Sequence, residues 1–243
     1  MQPTIRLHKD TWLSGILHRE AFRATLDASA PLANYDEEFS GLAPNSFVYA
    51  KVGTSDLSAL RALEKYGLHI VETTLTFERQ IQPANVSGQR QISVRAATAN
   101  DRHTIMRIAG AAFVNSRFHQ DPNLVEYAST LKAEWAGNFF EGVRGDKMLV
   151  ADVDGAVVGF LQLLTVNKDT LVIDLIAVDT KARGMGVASA LIESLNELKE
   201  YSTVRVGTQS HNIPSVNLYE KLGFRLSNAS YALHYHHATV SQI

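Results

Sequence analysis

The sequence predicts an α/β (α+β) protein, and two successive strand–helix units with an internal echo of one of them carry that reading. Leu171 to Val178 (LVIDLIAV) is an apolar, β-branched run of buried-strand length. A small-residue turn, Arg183-Gly184-Met185-Gly186-Val187-Ala188, follows it. Ala188, Leu191, Ile192, Leu195 and Leu198 then recur at helical spacing up to Lys199. A second strand, Thr203 to Thr208, leads to a helix with Pro214 in its first turn and Gly223 as its left-handed stop.

The echo lies in the first third of the chain. Val52-Gly53-Thr54 and Leu63-Glu64-Lys65-Tyr66-Gly67-Leu68 repeat Val206-Gly207-Thr208 and Tyr219-Glu220-Lys221-Leu222-Gly223-Phe224. The copies are offset by 154 residues at the strand and 156 at the helix. Residues 1–82 are therefore expected to hold a degenerate copy, without the Arg-x-x-Gly-x-Ala loop and with Leu63 in place of Tyr219. The polar stretch from Gln80 to Gln91, with Pro83 and Gly88, reads as a linker centred on 83–90. Residues 91–243 form the second unit. It opens with the strand Ile92 to Arg95 and a helix capped by Asn100, with Ile105, Ile108, Ala109, Ala112 and Phe113 inside. A hairpin from Met148 to Val166 turns at Asp154-Gly155.

Composition narrows the function. A net charge of −2 without basic runs argues against nucleic-acid binding. The absence of cysteine excludes disulfides, thiolate metal sites and an acyl-cysteine intermediate. Lys9, Asp10, His18, Arg19 and Glu20 interrupt any apolar leader, so a soluble cytoplasmic protein without membrane insertion is expected. His211 and the run His234-Tyr235-His236-His237 have no acid or cysteine at ligand spacing. They read as an alternating edge strand and a frayed tail, and no metal is expected.

The glycine turn offers unpaired helix amides to a pyrophosphate, with Arg183 beside them. A dinucleotide fold is not supported, because Ser189 replaces the third glycine and the next strand lacks a terminal acid. The Walker sequence is absent as well. Arg183-x-x-Gly186-x-Ala188 instead resembles the loop of the GNAT superfamily of acetyl-CoA-dependent N-acyltransferases. Asn212-Ile213-Pro214-Ser215-Val216-Asn217-Leu218-Tyr219-Glu220-Lys221-Leu222-Gly223-Phe224 resembles that family's second motif. The resemblance implies a GNAT fold, a mixed central sheet flanked by helices, with acetyl-CoA as cosubstrate. It places acetyl-CoA beside Ile176 and Val178, and its pyrophosphate on Arg183, Gly184, Met185, Gly186, Val187 and Ala188. Asn212 then meets the pantetheine arm, and Tyr219 faces the departing thiolate as general acid.

Further stretches resemble GNAT members that acetylate nucleotide-linked aminosugars for surface polysaccharide. They are Ala111-Ala112-Phe113-x-x-Ser116-Arg117-Phe118, Trp135, Arg205-Val206-x-Thr208-Gln209, Ala50-Lys51, Leu68-x-x-Val71-Glu72 and, more faintly, Trp12. The resemblance implies acetyl transfer to the 4-amino group of a TDP-fucosamine-like sugar, and a homodimer. It also aligns Glu72 with a glutamate near the acceptor amine, so Glu72 is the candidate base; a plain strand residue is the alternative. Asp174, charged inside an apolar strand, is the rival base. Ser116, Arg117 and Phe118 are the candidate acceptor residues. Arg117 suits a diphosphate and Phe118 a sugar or base, against a surface arginine beside a core ring. Trp135 reads as core. Competing functions are acetylation of a protein N-terminus, polyamine or antibiotic, and a non-catalytic CoA-binding module. A basic pocket around Arg117 favours the sugar nucleotide, and an acidic groove a cationic amine.

Overall fold

The two Val-Gly-Thr strands end up in one sheet, with two strands between them. The computed structural model describes residues 4–27, 39–81 and 92–238, so the expected linker at 83–90 lies outside the described residues. The ten strands are β1 (Thr4–Lys9), β2 (Ala21–Asp27), β3 (Phe47–Gly53), β4 (His69–Gln80), β5 (Ile92–Ala96), β6 (Lys147–Val153), β7 (Ala156–Asn167), β8 (Thr170–Val178), β9 (Thr203–Gln209) and β10 (Arg225–His236). They form a single mixed sheet in the order β1-β2-β3-β10-β4-β9-β8-β7-β6-β5. Only the β2–β3 and β8–β9 pairings are parallel.

The centre of this order is woven. β10, from the end of the chain, lies between β3 and β4, and β4 lies between β10 and β9. Tyr231 faces Val52 on one side, and Phe77 faces Val206 on the other. β3 and β4 lie 156 residues before β9 and β10 at both ends of each strand, the offset of the helix echo, so the 154-residue match of the two Val-Gly-Thr triplets is two residues out of structural register. The repeat thus builds an approximate internal dyad between β10 and β4, and each half completes its sheet with the other's last strand.

Helices α1 (Thr11–Leu17) and α2 (Leu57–Lys65) belong to the first half. The second half has α3 (Arg102–Ala112), the single turn α4 (Arg117–Gln120), α5 (Val125–Gly137), α6 (Val187–Glu193) and α7 (Ile213–Lys221). Strand alternation assigns them to opposite faces. Phe160 and Val150 join the cluster under α3 and α5, whereas their neighbours Leu161 and Ala151 join the cluster under α6 and α7. Gly159 permits the close approach of α6, since a Cβ there would lie 2.8 Å from Val187 Cγ1 and 3.1 Å from the Ala177 carbonyl oxygen. The hairpin turns at Asp154 and Gly155, both with positive φ, as a two-residue loop requires. Gly223, at φ 82°, terminates α7.

Two local expectations are corrected. Thr98, not Asn100, opens the turn that leads into α3. Asp101 accepts from the Thr98 amide and hydroxyl at 2.7 and 3.0 Å and pairs with Arg95, whose hydrogen bonds hold its carboxyl well below the ordinary range. α6 ends at Glu193 and tightens into a 3₁₀ turn over Ser194–Glu197 instead of running on to Lys199. No helix among the described residues is long and apolar enough to cross a membrane.

The weave predicts that residues 1–82 do not fold alone, because β3 and β4 then lose the strand that lies between them. Chemical denaturation of that fragment followed by circular dichroism should show no cooperative transition. A sigmoidal unfolding curve would contradict this account.

Candidate active site

Asp174 is the extra residue of a β-bulge. Leu163 pairs with Ile173 and Gln162 with Leu175, so Asp174 has no partner across β7. The bulge reverses which face the following side chains occupy. Leu171 and Ile173 pack on the α6 side, and Leu175 and Ala177 pack on the α3 side although their parity is the same. β8 and β9 pair only from Thr170 with Thr203 to Ile173 with Val206. Beyond that point β9 stays with β4, and the β8 edge facing β9 is left without a partner strand.

The resulting cavity of about 530 Å³ is lined by Ile176, Val178, Arg183, Ala188, Asn212 and Tyr219, all candidates from the sequence. Gly184 and Gly186 have φ of 80° and 84°, and a Cβ at either would meet nothing within 4 Å. These glycines therefore serve the backbone path, which leaves open space next to the loop. The side chain of Val187 is 1% exposed and belongs to the core, so it can present only its amide. Met185 and Gly186 line a separate hollow with Ser189 and Lys221. Asn212 caps α7, its Oδ1 accepting from the Ser215 amide at 3.4 Å. Tyr219 is 3% exposed against Phe77 and Phe224. Burial raises its pKa above the usual phenol value, opposed by a hydrogen bond with Ser215, so it is a protonated donor at neutral pH.

Next to this cavity lies a cluster of charges. Glu72, on β4, is buried; its Oε1 accepts from Thr74 Oγ1 at 3.2 Å, and its Oε2 has no hydrogen-bond partner among the described residues. Lys51 of β3, Arg117 of α4 and Lys132 of α5 surround it electrostatically. Burial lowers the pKa of all three, and Lys132 falls to about 8. The Arg117 guanidinium lies 4.9 Å from the Tyr49 ring centre and 4.7 Å from that of Phe118.

Phe118 itself corrects an expectation. It is 2% exposed in a core with Leu13, Leu17, Phe47 and Leu131, so it supports the cations and does not stack on a ligand. Ser116 is buried at the start of α4, its Oγ 2.9 Å from His119 Nδ1. The one-turn helix points these three neighbours in different directions, and among them only Arg117 joins the charge cluster.

Asp174 is fully engaged. Arg144 grips it at 2.7 and 2.6 Å, the Trp135 indole donates at 2.9 Å, and Gln162 Nε2 donates at 3.3 Å. Trp135 is thus half-buried and polar in its role, not simply core. Sequence reasoning missed Arg144; the signal was the unexplained acid in an apolar strand, whose partner is 30 residues away.

The histidine-rich end also differs from expectation. β10 is an interior strand, and His234 and His236 both donate to Asp121 Oδ2, at 2.7 and 2.8 Å. Asp121 is 113 residues from His234, which hid the acid from sequence spacing. The group ties the turn after α4 to β10. Burial lowers the His234 pKa to about 4, keeping that imidazole neutral at pH 7.

The bulge that parts β8 from β9, the positive-φ glycine loop and the buried Tyr219 of α7 thus border one cavity. Residues 108–224 match the Acetyltransferase (GNAT) family, and the chain carries a GNAT acetyltransferase domain. Over 227 residues it is 26% identical to the dTDP-fucosamine acetyltransferase of Escherichia coli O6:H1, covering 92% of this chain and 95% of that one. It is 36% identical over 138 residues to the spore coat polysaccharide biosynthesis protein SpsD of Bacillus subtilis, covering 55% of this chain and spanning 47% of SpsD. Its fold is similar to that of a GCN5-related N-acetyltransferase from Sphaerobacter thermophilus, with a TM-score of 0.63 at 15% identity over 96% of this chain and 76% of that one.

Replacing Arg144 by Met leaves the 7%-exposed Asp174 carboxylate without its ion pair. The expected cost is about 3 kcal/mol in urea denaturation, with part regained when Asp174→Asn is added. Additive losses in the double variant would remove the pair from its role in holding the bulge.

Proposed function

We propose that the protein transfers the acetyl group of acetyl-CoA to an amine of a nucleotide-linked aminosugar, the 4-amino group of a TDP-fucosamine-like sugar. The observation that carries this reading is the cation cluster, Lys51, Arg117 and Lys132, around the buried carboxylate of Glu72. Such a pocket attracts a diphosphate and repels a polyamine or another polycationic acceptor. The similarity to a dTDP-fucosamine acetyltransferase along nearly the whole chain supports the same substrate class. The reading implies a cytoplasmic setting, where both substrates are made, and it carries the homodimer of the resemblance as part of the same proposal.

In this mechanism acetyl-CoA supplies an activated thioester, and the chain supplies position and proton transfer. The unpaired β8 edge from Leu175 to Val178 holds the pantetheine arm, and its amides polarise the thioester carbonyl. Arg183 and the amides of the 184–188 loop hold the pyrophosphate. Glu72 takes the proton of the sugar ammonium through its uncommitted Oε2. Asp174 is unsuited to that work, since Arg144, Trp135 and Gln162 already occupy its oxygens. The protonated Tyr219 phenol donates to the departing sulfur.

Steady-state assays of CoA release with TDP-4-amino-deoxysugars test this assignment. Glu72→Gln should lower kcat by about 10²–10³-fold near pH 7 and recover partly at higher pH, where the amine is already neutral. Tyr219→Phe should lower kcat by about 10²-fold with acetyl-CoA affinity unchanged, and Arg117→Ala should raise only the sugar-nucleotide KM. Wild-type turnover in Glu72→Gln across the whole pH range would remove Glu72 as the base.

A further inference from the structure

Among the residues lining the donor cavity, Lys132 contributes the one primary amine. Its Nζ lies 5.0, 5.9 and 4.7 Å from the ring centres of Phe113, Phe118 and Trp135. Among the described residues no acid pairs with it. The Trp135 indole that it covers donates to Asp174, the bulge residue where the β8 edge parts from β9. The amine therefore lines the donor cavity within the electrostatic reach of Arg117 and Glu72, held by aromatic faces in place of a carboxylate.

We propose that Lys132 is a self-acetylation site, acetylated by bound acetyl-CoA when no sugar acceptor is present. The inference rests on the donor-site reading above. The neutral Nζ attacks the thioester carbonyl carbon, a C–N bond forms and the C–S bond breaks. The excess N–H proton passes to Glu72 or to water, and the sulfur takes a proton from Tyr219. The products are CoA and Nε-acetyl-Lys132, with no further reactant needed.

The surroundings favour attack over simple charge storage. Burial lowers the Lys132 pKa to about 8, with Arg117 and Arg144 pushing the same way and Glu72 and Asp174 opposing. About a tenth of the side chains then carry the free amine at pH 7, against fewer than about one in 1,000 for a lysine at its ordinary value. Acetylation removes one of the three cations around Glu72, so the modified protein should bind an anionic acceptor less well. An occupied acceptor site should in turn protect Lys132.

Peptide mapping by mass spectrometry, on the full chain incubated with acetyl-CoA alone, tests the proposal. Lys132 should gain one acetyl group at least about tenfold faster than the exposed Lys65 and Lys168. Its rate should climb with pH to a plateau above about 8, fall when a TDP-aminosugar is added, and fall in Tyr219→Phe. K132R should lose the modification at that position, with the slow acetylation of Lys65 and Lys168 unchanged. Uniform acetylation of exposed lysines, or an unmodified Lys132 in protein that turns over a sugar, overturns the proposal and leaves the enzyme reading standing. Absence of acetyl-CoA binding overturns both.

Discussion

A carboxylate buried in the middle of an apolar strand is costly unless its oxygens are paired. At Asp174 the guanidinium fork of Arg144, the Trp135 indole and the Gln162 amide meet that cost, and the acid fixes the extra residue of the β8 bulge. The bulge turns Leu175 and Ala177 onto the other face and ends the pairing of β8 with β9 after Ile173 and Val206. The cavity beside Tyr219, the unpaired edge of β8 and the approach to the glycine loop all follow from this one irregularity. Asp174 belongs to the architecture of the site, and its charge is already committed.

The weave explains why a half without the glycine loop matters to the site. By lying between β10 and β9, β4 brings Glu72 up to the second half, and β3 brings Lys51. The second half brings Arg117 and Lys132 to meet them. The charge cluster is thus made by both halves, whereas the cavity beside Tyr219 is lined by the second half alone. The Asp121 link to His234 and His236 fastens the turn carrying Arg117 to β10, adding a second tie across the molecule.

Local chemistry was legible in the sequence where neighbouring residues decide it. Gly184, Gly186 and Gly223 announce positive φ, Pro214 announces a first helical turn, and Asp154-Gly155 announces a hairpin, each through its own backbone limits. The Val-Gly-Thr match was two residues out of register, but the repeat of strand–helix–strand units was legible through its helices, which keep the 156-residue offset of the folded copies. Their interlacing was not, since two copies can pair side by side or exchange strands with the same residues. Arg144, Trp135 and Asp121 escaped for a related reason: each acts on a partner at least 30 residues away. Phe118 faces the core because successive residues of a helix point about 100° apart, so its direction differs from that of Arg117, which spacing alone does not resolve in so short a helix.

Amide hydrogen exchange with and without acetyl-CoA tests the central claim most directly, that the bulge-opened edge of β8 and the glycine loop together hold the donor. The account predicts added protection confined to the amides of residues 175–178 and 184–189, with β5, β6 and the first-half strands unchanged. Protection spread over the first half, or none on β8 while acetyl-CoA is bound, would contradict it.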